Sequence, residues 1–535
     1  MQSSLYSIPF QDTGYFTSIV SDYLSGKSTL QPFYKHTPDI SGIQKAIEAR
    51  KNSPINRQLL QTTLINQYAG MDLGEKLSLN IRLLADEKTF SITTAHQPNI
   101  FTGPLYFIYK CMHAIRLADF LNEQFPDLHF VPVYYMGSED ADLDEIGQVT
   151  VGGIQYVWKT NQTGSVGRML VDQSLIDIIS QLEGQSGVLP FGAALSSLWR
   201  KSFTKGKTIS QAMLEMVHSL LGDRGLIVIN PDQPALKSCF TDIVKRELFT
   251  QFSHPLVEAT NQHLSEHYKV QAAGRSINLF YLNENRRERI EKITDDVWAV
   301  PALPLQFTRK ELEDEIQLHP ERFSANVILR GLYQEMILPN IVFIGGGGEL
   351  AYWLELQSIF TATNVPFPVL LLRNSFLLLT KAQETKWLQT GFSMQEIFQQ
   401  PESLIKKLAI LQSGESLSLH TEILQLQQLY QEIARKASQI DKSLQPHTGA
   451  LAKAATEKIE ELEKKMLRAE KRKYAESEYR IQAIREQLFP NNGLQERTEN
   501  MALYYARWGK TLLDEIYFHS QAIAVDFGMI VLPND

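Results

Sequence analysis

An apolar run, Phe90 to Ala95, stops in a polar turn containing His96, Gln97 and Asn99, and Pro104 opens a helix a few residues later. One helix and one strand further on, Ser138-Glu139-Asp140-Ala141-Asp142 makes a second polar turn. Strand, helix and strand in that order predict a βαβ unit, since parallel strands need a long crossover. Both strands of such a unit end on one edge of the sheet, so the two turns are expected to face one crevice. That is the layout of a ligand site.

The rest of the chain extends the pattern. Helices are expected over 43–69 and 73–84, before the first strand. In the helix after Pro104, Leu105, Ile108, Met112 and Ile115 share one face. The next strand is Phe130 to Met136, and 150–172 reads as a hairpin excursion around Gly152-Gly153 and Gly164. Further strands are expected at 226–230, 277–282 and 341–344, the last followed by Gly345 to Gly348 and a helix to about Ala362. Two apolar segments, 368–372 and 376–379, close this half. The expected class is α/β: a mainly parallel, doubly wound sheet over 1–390, with insertions at about 150–225 and 232–325.

Beyond about Gly391 the periodicity changes. Ile423, Leu426, Tyr430, Ile433, Ala437, Ile440 and Leu444 alternate at three and four, which is a coiled-coil seam. Pro446 and Gly449 are expected to break it, and Ala452, Ala455, Ile459, Leu462 and Met466 carry a second helix. Lys473, Glu476 and Arg480 then occupy the seam register, which slips to Ser477, Ile481, Ile484 and Leu488. These residues predict an α-helical antiparallel coiled-coil domain over 391–493. The tail, 494–535, is expected to carry a helix and a strand at 523–525 or 530–532 that returns to the core.

Composition narrows the function. A net charge of −8 argues against a chain that holds nucleic acid by neutralising phosphates. Two cysteines, Cys111 and Cys239, exclude a disulfide framework and a Cys-rich zinc site, and both are expected as small buried apolar groups. The amino-terminal segment lacks a basic flank and an apolar core, and the apolar run 369–379 is broken by Arg373 and Asn374. The expectation is a cytoplasmic protein without a membrane span.

His96, Gln97 and Asn99 offer three polar side chains beside Thr102-Gly103-Pro104, more than a helix cap requires. Amides at a helix amino end attract anions, so this turn is expected to bind one, with Tyr106 and Lys110 within reach. Ser138 and the carboxylates Glu139, Asp140, Asp142, Asp144 and Glu145 suit an ammonium group, a proton or Mg²⁺ on a phosphate. Gly345, Gly346, Gly347, Gly348 and Glu349 let backbone approach a ligand, without the Lys-Ser/Thr of a P-loop. Asn326 and Arg330 lie one turn apart, with Arg330 a candidate carboxylate clamp. Arg373 interrupts apolar residues and is expected to pair with a ligand or an acid.

Five blocks resemble the bacillithiol biosynthesis cysteine-adding enzymes: FTGPLYFIYK (101–110), SEDADLDEI (138–146), INPDQPALK (229–237), SANVILRGLYQEMILPNIVFIGGGGELAYW (324–353) and LQERTENM (494–501). The resemblance implies a nucleotidyltransferase-like Rossmann core with connecting insertions and a coiled coil that pairs two subunits. It also implies a ligase that attaches cysteine to glucosaminyl-malate in the last step to bacillithiol. Class I nucleotidyltransferases carry His-x-Gly-His at the first turn; His96-Gln97-Pro98-Asn99 keeps only the first His. ATP with Mg²⁺ is the expected activator. On the implied reaction His96 stabilises a phosphate or oxyanion, Glu139, Asp140 or Asp142 holds and deprotonates the amine, and Arg330 or Arg373 grips the malyl carboxylates. Another carbon–nitrogen ligase or nucleotidyltransferase on the same core, or a non-catalytic coiled-coil assembly protein, is the alternative.

Overall fold

The computed structural model describes residues 3–412, 418–471 and 474–533. Two compact units are formed, Met1–Leu379 with Gly493–Asp535, and Thr380–Asn492.

The first unit is built on five strands: β1 (Thr89–His96), β2 (His129–Met136), β3 (Ile227–Ile229), β4 (Asn340–Gly345) and β5 (Val369–Leu372). Their order is β5-β4-β1-β2-β3, and every neighbouring pair is parallel. Threonine, isoleucine and phenylalanine favour the strand conformation in β1, and all eight of its residues are buried. Phe90, Ile92, Ile341, Val342, Ile344 and Val369 pack with Ile43 and Ile47 of one helix and Ala114, Leu117 and Leu121 of another; every residue of β1 and β4 is buried, so both faces are covered as parallel sheets require. Within this sheet the chain starts at β1, winds outward through β2 and β3, and returns to β4 on the other side. The winding therefore reverses between β1 and β4, and ligands bind outside the carboxyl ends of strands at such a point.

The crossover from β1 to β2 is α1 (Tyr106–Gln124). It starts two residues beyond Pro104, because the tail engages the approach to it. Pro104 bridges Asn500, and the Leu105 N–H donates to Glu499 O at 2.8 Å. Before it, Phe101, Thr102 and Gly103 run through positive φ of 53°, 74° and 61°. Two further helices, α2 (Val327–Ile337) and α3 (Gly347–Leu354), flank β4.

Several expectations change at the boundaries. The single helix over 43–69 is two, Ile40–Lys51 and Arg57–Gln67, because Pro54 disfavours helix at the residue before it. The strand near 277–282 is Leu279–Asn283, which pairs antiparallel with Phe323–Ala325 and Arg286–Arg289, outside the main sheet. The hairpin appears as Gln148–Val151 and Ile154–Val157, turned by Gly152 and Gly153 at φ 57° and 76°. The carboxyl-terminal strand is Asp526–Leu532; it lies between Phe376–Thr380 and the amino-terminal strand Ser4–Pro9, with Ser4 opposite Val531.

In the second unit α4 (His420–Ile440) and α5 (Leu444–Lys471) form the expected helix pair, followed by α6 (Ala475–Leu488). The break falls at 441–443, where the Ser443 N–H donates to Asp441 Oδ1 at 2.8 Å. Pro446 sits in the first turn of α5, where a missing N–H costs nothing, and Gly449 continues the helix. Lys473, at the expected register slip, lies outside the described residues. Ile481, Ile484 and Leu488 are buried. No helix among the described residues is long and apolar enough to cross a membrane.

Candidate active site

A cleft of about 830 Å³ opens where β1, β2 and β4 end. His96 closes β1 and is 8 % exposed, its ring stacked on Tyr106 with centroids 5.2 Å apart. Burial, and after it the charge of Lys110, pushes the His96 pKa down to about 3, so the ring is neutral near pH 7. The Gln97 N–H donates to His96 Nδ1 at 2.8 Å. The Gln97 side-chain oxygen also stands 2.8 Å from Nδ1 and favours the opposite tautomer. A backbone N–H has no second orientation, so it decides: Nδ1 accepts and Nε2 carries the proton. Nε2 is buried and has no partner among the described residues, which leaves a neutral donor at the cleft wall.

The second turn is tied to the first. The Gly137 N–H and the Tyr134 hydroxyl both donate to His96 O, at 2.8 and 3.1 Å. Gln97 Nε2 reaches across to Asp140 Oδ2 at 3.3 Å and Glu145 Oε2 at 3.4 Å, so both turns meet in one cleft. Ser138 donates to Asn230 Oδ1 at 2.6 Å. Glu139, Asp140 and Glu145 all line the cleft, but they are not equivalent. Glu139 is clasped by the buried Lys237 ammonium. Asp142 is not at the cleft wall: its Oδ1 accepts the Glu145 N–H at 3.1 Å and caps the short helix Leu143–Ile146.

At the third turn Gly346, Gly347 and Gly348 line the cleft while Gly345 ends β4. A Cβ at Gly348 would meet nothing within 4 Å, so the wall is open there at the amino end of α3. Glu349 Oε2 accepts the Gly346 N–H at 2.8 Å and pairs with Lys110. Burial alone would raise Glu349, but Lys110 and that N–H outweigh it and hold its pKa below the ordinary value. Lys110, expected as either surface or anion site, is 3 % exposed and also donates to Ala95 O at 2.9 Å.

Other expected residues are placed elsewhere or already engaged. Asn99, Thr102 and Gly103 do not line the cleft; the tail covers them, with Asn500 Nδ2 donating to the Phe101 carbonyl at 2.9 Å and to the Gly103 carbonyl. The amino end of α1 is closed by the same segment and is not the open anion site that was expected. Asn326 lies at the cleft wall, yet its Oδ1 caps α2 at the Ile328 N–H and its Nδ2 donates to Asn278. Arg373 pairs with an acid, Glu496, through both terminal nitrogens at 2.7 and 3.0 Å, so its fork is filled. Arg330 keeps more freedom: Nη2 donates to the Tyr352 hydroxyl at 2.5 Å, and no carboxylate among the described residues lies within 4.0 Å.

Three arginines at the wall escaped the sequence reading: Arg275, Arg287 and Arg497. Arg287 stacks on Phe280 at 4.0 Å and donates to Ser324 Oγ at 3.2 Å. Arg275 and Arg497 are exposed and form no ion pair among the described residues. Only Arg497 had a signal, its place in the LQERTENM block; Arg275 and Arg287 lie in an insertion without local pattern. The cleft thus carries carboxylates and guanidinium groups together, and Arg287 and Arg330 both sense the charge of Asp140.

Comparison with known proteins agrees with this architecture over almost the whole length. Residues 4–374 match the family described as bacillithiol biosynthesis BshC, N-terminal Rossmann-like domain, and residues 376–532 match its C-terminal coiled-coil domain. A relative named "Putative cysteine ligase BshC" in Flavobacterium johnsoniae is 38% identical over 530 residues, covering 98% of this chain and 99% of its own. Proteins of the same name in Flavobacterium psychrophilum and Cytophaga hutchinsonii are each 35% identical, covering 98% and 96% of this chain and the same shares of their own. With a Rossmann-like sheet followed by a helix pair in the family's order, this chain is a ligase that belongs to the bacillithiol biosynthesis BshC family.

Proposed function

We propose that the protein joins the carboxyl group of cysteine to the amine of glucosaminyl-malate, the last step to bacillithiol. The observation that carries this reading is that one cleft presents both carboxylates, Glu139, Asp140 and Glu145, and guanidinium groups, Arg275, Arg330 and Arg497. Glucosaminyl-malate carries the complementary groups, an ammonium and two carboxylates. The carboxylates of the cleft hold the ammonium, and Arg330 grips a malyl carboxylate.

A carboxylate is a poor electrophile, so ATP with Mg²⁺ is proposed to activate the cysteine carboxyl. The open wall at Gly348 and the amino end of α3 leave room and partial positive charge for a phosphate. The unpartnered His96 Nε2 donates to an oxygen of the reacting group, Gln97 keeps the two turns in register, and Ser138 ties the second turn to Asn230. A cytoplasmic location belongs to the same proposal, supported by two thiols, Cys111 and Cys239, that are free in the structure.

A second copy of the chain is proposed to cover the helix pair. Leu424, Leu429, Ile433, Ile440, Leu451 and Leu462 are all exposed on it, and no residue of α4 is fully buried.

Purified enzyme supplied with cysteine, glucosaminyl-malate and ATP-Mg²⁺ is expected to form the amide, measured by mass spectrometry. His96→Ala should lower kcat by about 100-fold or more. An unchanged rate removes His96 from the reaction, and equal use of other amino acids removes cysteine as the specific substrate.

A further inference from the structure

The carboxylates in and around the cleft can be sorted by what already holds them. Glu139 sits at the end of a buried chain of alternating charge. Lys237 clasps it and lies 3.2 Å from Asp232, which in turn takes the Arg168 guanidinium at 2.6 and 2.7 Å. Glu349 is closed by Lys110 and the Gly346 N–H, and Asp142 is spent on a helix cap. Asp140 receives the Asp142 N–H at 3.2 Å on one oxygen and Gln97 Nε2 at 3.3 Å on the other. Glu145 has one long contact, Gln97 Nε2 at 3.4 Å, and no cation within 4.0 Å among the described residues. Through Gln97 it stands one side chain away from His96.

Resting on the reaction proposed above, we infer that Glu145 is the general base that takes the proton from the substrate ammonium, while Glu139, fixed by Lys237, only holds that group. The proton leaves the ammonium nitrogen for a Glu145 oxygen, giving the free amine and a carboxylic acid. The nitrogen lone pair then forms the C–N bond at the activated carboxyl carbon, the bond from that carbon to its leaving group breaks with the electron pair going to the leaving group, and the second nitrogen proton departs with that group to leave the neutral amide. Burial, then the negative charges of Asp142 and Asp140, pushes the Glu145 pKa up, which makes it a stronger base than a free carboxylate. Tyr106 is the other titratable group that senses Glu145 across the cleft, and Gln97 faces it as a neutral donor.

Full-length wild type, Glu145→Gln and Glu145→Asp test this with cysteine, glucosaminyl-malate and ATP-Mg²⁺ across a pH series, alongside calorimetric binding of glucosaminyl-malate. For Glu145→Gln, kcat should fall by about 100-fold or more and the rising limb of the pH profile should vanish, with Kd changed by less than about threefold. Glu145→Asp should keep the limb at an intermediate rate. A Gln variant that retains both limb and kcat, or one that loses binding with kcat intact, overturns the base assignment. A wild-type enzyme that binds glucosaminyl-malate and forms no amide overturns the reaction and the base together, which separates the two failures.

Discussion

Glu355 is fully buried, and its carboxylate accepts the Gln271 N–H at 2.7 Å and the Ala272 N–H at 3.0 Å, just before Ala273 and Arg275 enter the cleft wall. Burial pushes its pKa from 4.5 up to about 7, against the pull of those two amides. A carboxyl whose pKa is higher folded than unfolded contributes stability that is full below the unfolded value and lost as pH rises through the folded one. The window is therefore pH 4.5 to 7, and the shift corresponds to about 3 kcal/mol. Glu355→Gln keeps the shape and removes the titration. Urea melts of both proteins across that window should show wild type losing about 3 kcal/mol relative to the variant as pH rises. A difference that stays constant with pH would show that Glu355 does not titrate in this range.

Among the elements, the helix pair leaves much of its apolar surface uncovered. Of the expected seam, Ile423, Leu426, Tyr430 and Ala437 are half-buried, while Ile433 and Ile440 are left in solvent together with Leu424 and Leu429. Apolar seam residues that the pair itself leaves in solvent call for another helical surface. Replacing Leu429 and Ile433 by Glu should convert a dimer to a monomer in size-exclusion chromatography with light scattering, with helix content by circular dichroism unchanged. A double variant that still elutes as a dimer would place the interface elsewhere. The main-sheet elements are held differently. β1 buries all eight residues, and the turn between it and α1 carries the strained run Phe101-Thr102-Gly103; a threonine at φ 74° persists only where neighbours impose it, here Asn500 and Glu499.

At the scale of the whole chain, what the sequence revealed was what neighbouring residues decide. The strand ending in His96, the SEDAD turn and the glycine turn were legible because apolar runs, turn residues and helix periodicity are local. Glu496 closing on Arg373 and Arg497 joining the cleft depend on a tail more than a hundred residues away in sequence, beyond the reach of any periodicity. The fate of Lys110 was equally hidden, since a helix pattern reveals the apolar face but not the Glu349 that neutralises a buried ammonium. The same long-range closure explains how the second unit is inserted. Residues 493–535 return to the first unit, where Gln495 exchanges hydrogen bonds with the Leu378 N–H at 3.0 Å and the Leu378 carbonyl at 3.1 Å, and Asp526–Leu532 pairs with Ser4–Pro9. The chain thus leaves and re-enters the first unit at adjacent points, and the five-stranded sheet, its core and every cleft residue named here belong to that unit. A chain in which 380–492 is replaced by a short Gly/Ser linker should therefore fold alone, because closing a short loop between neighbouring ends costs little entropy. It should give a single cooperative thermal transition and elute as a monomer, and it should still bind glucosaminyl-malate in a calorimeter. An insoluble or non-cooperative product would mean that the first unit depends on the helical one for its stability, whatever the self-containment of its core.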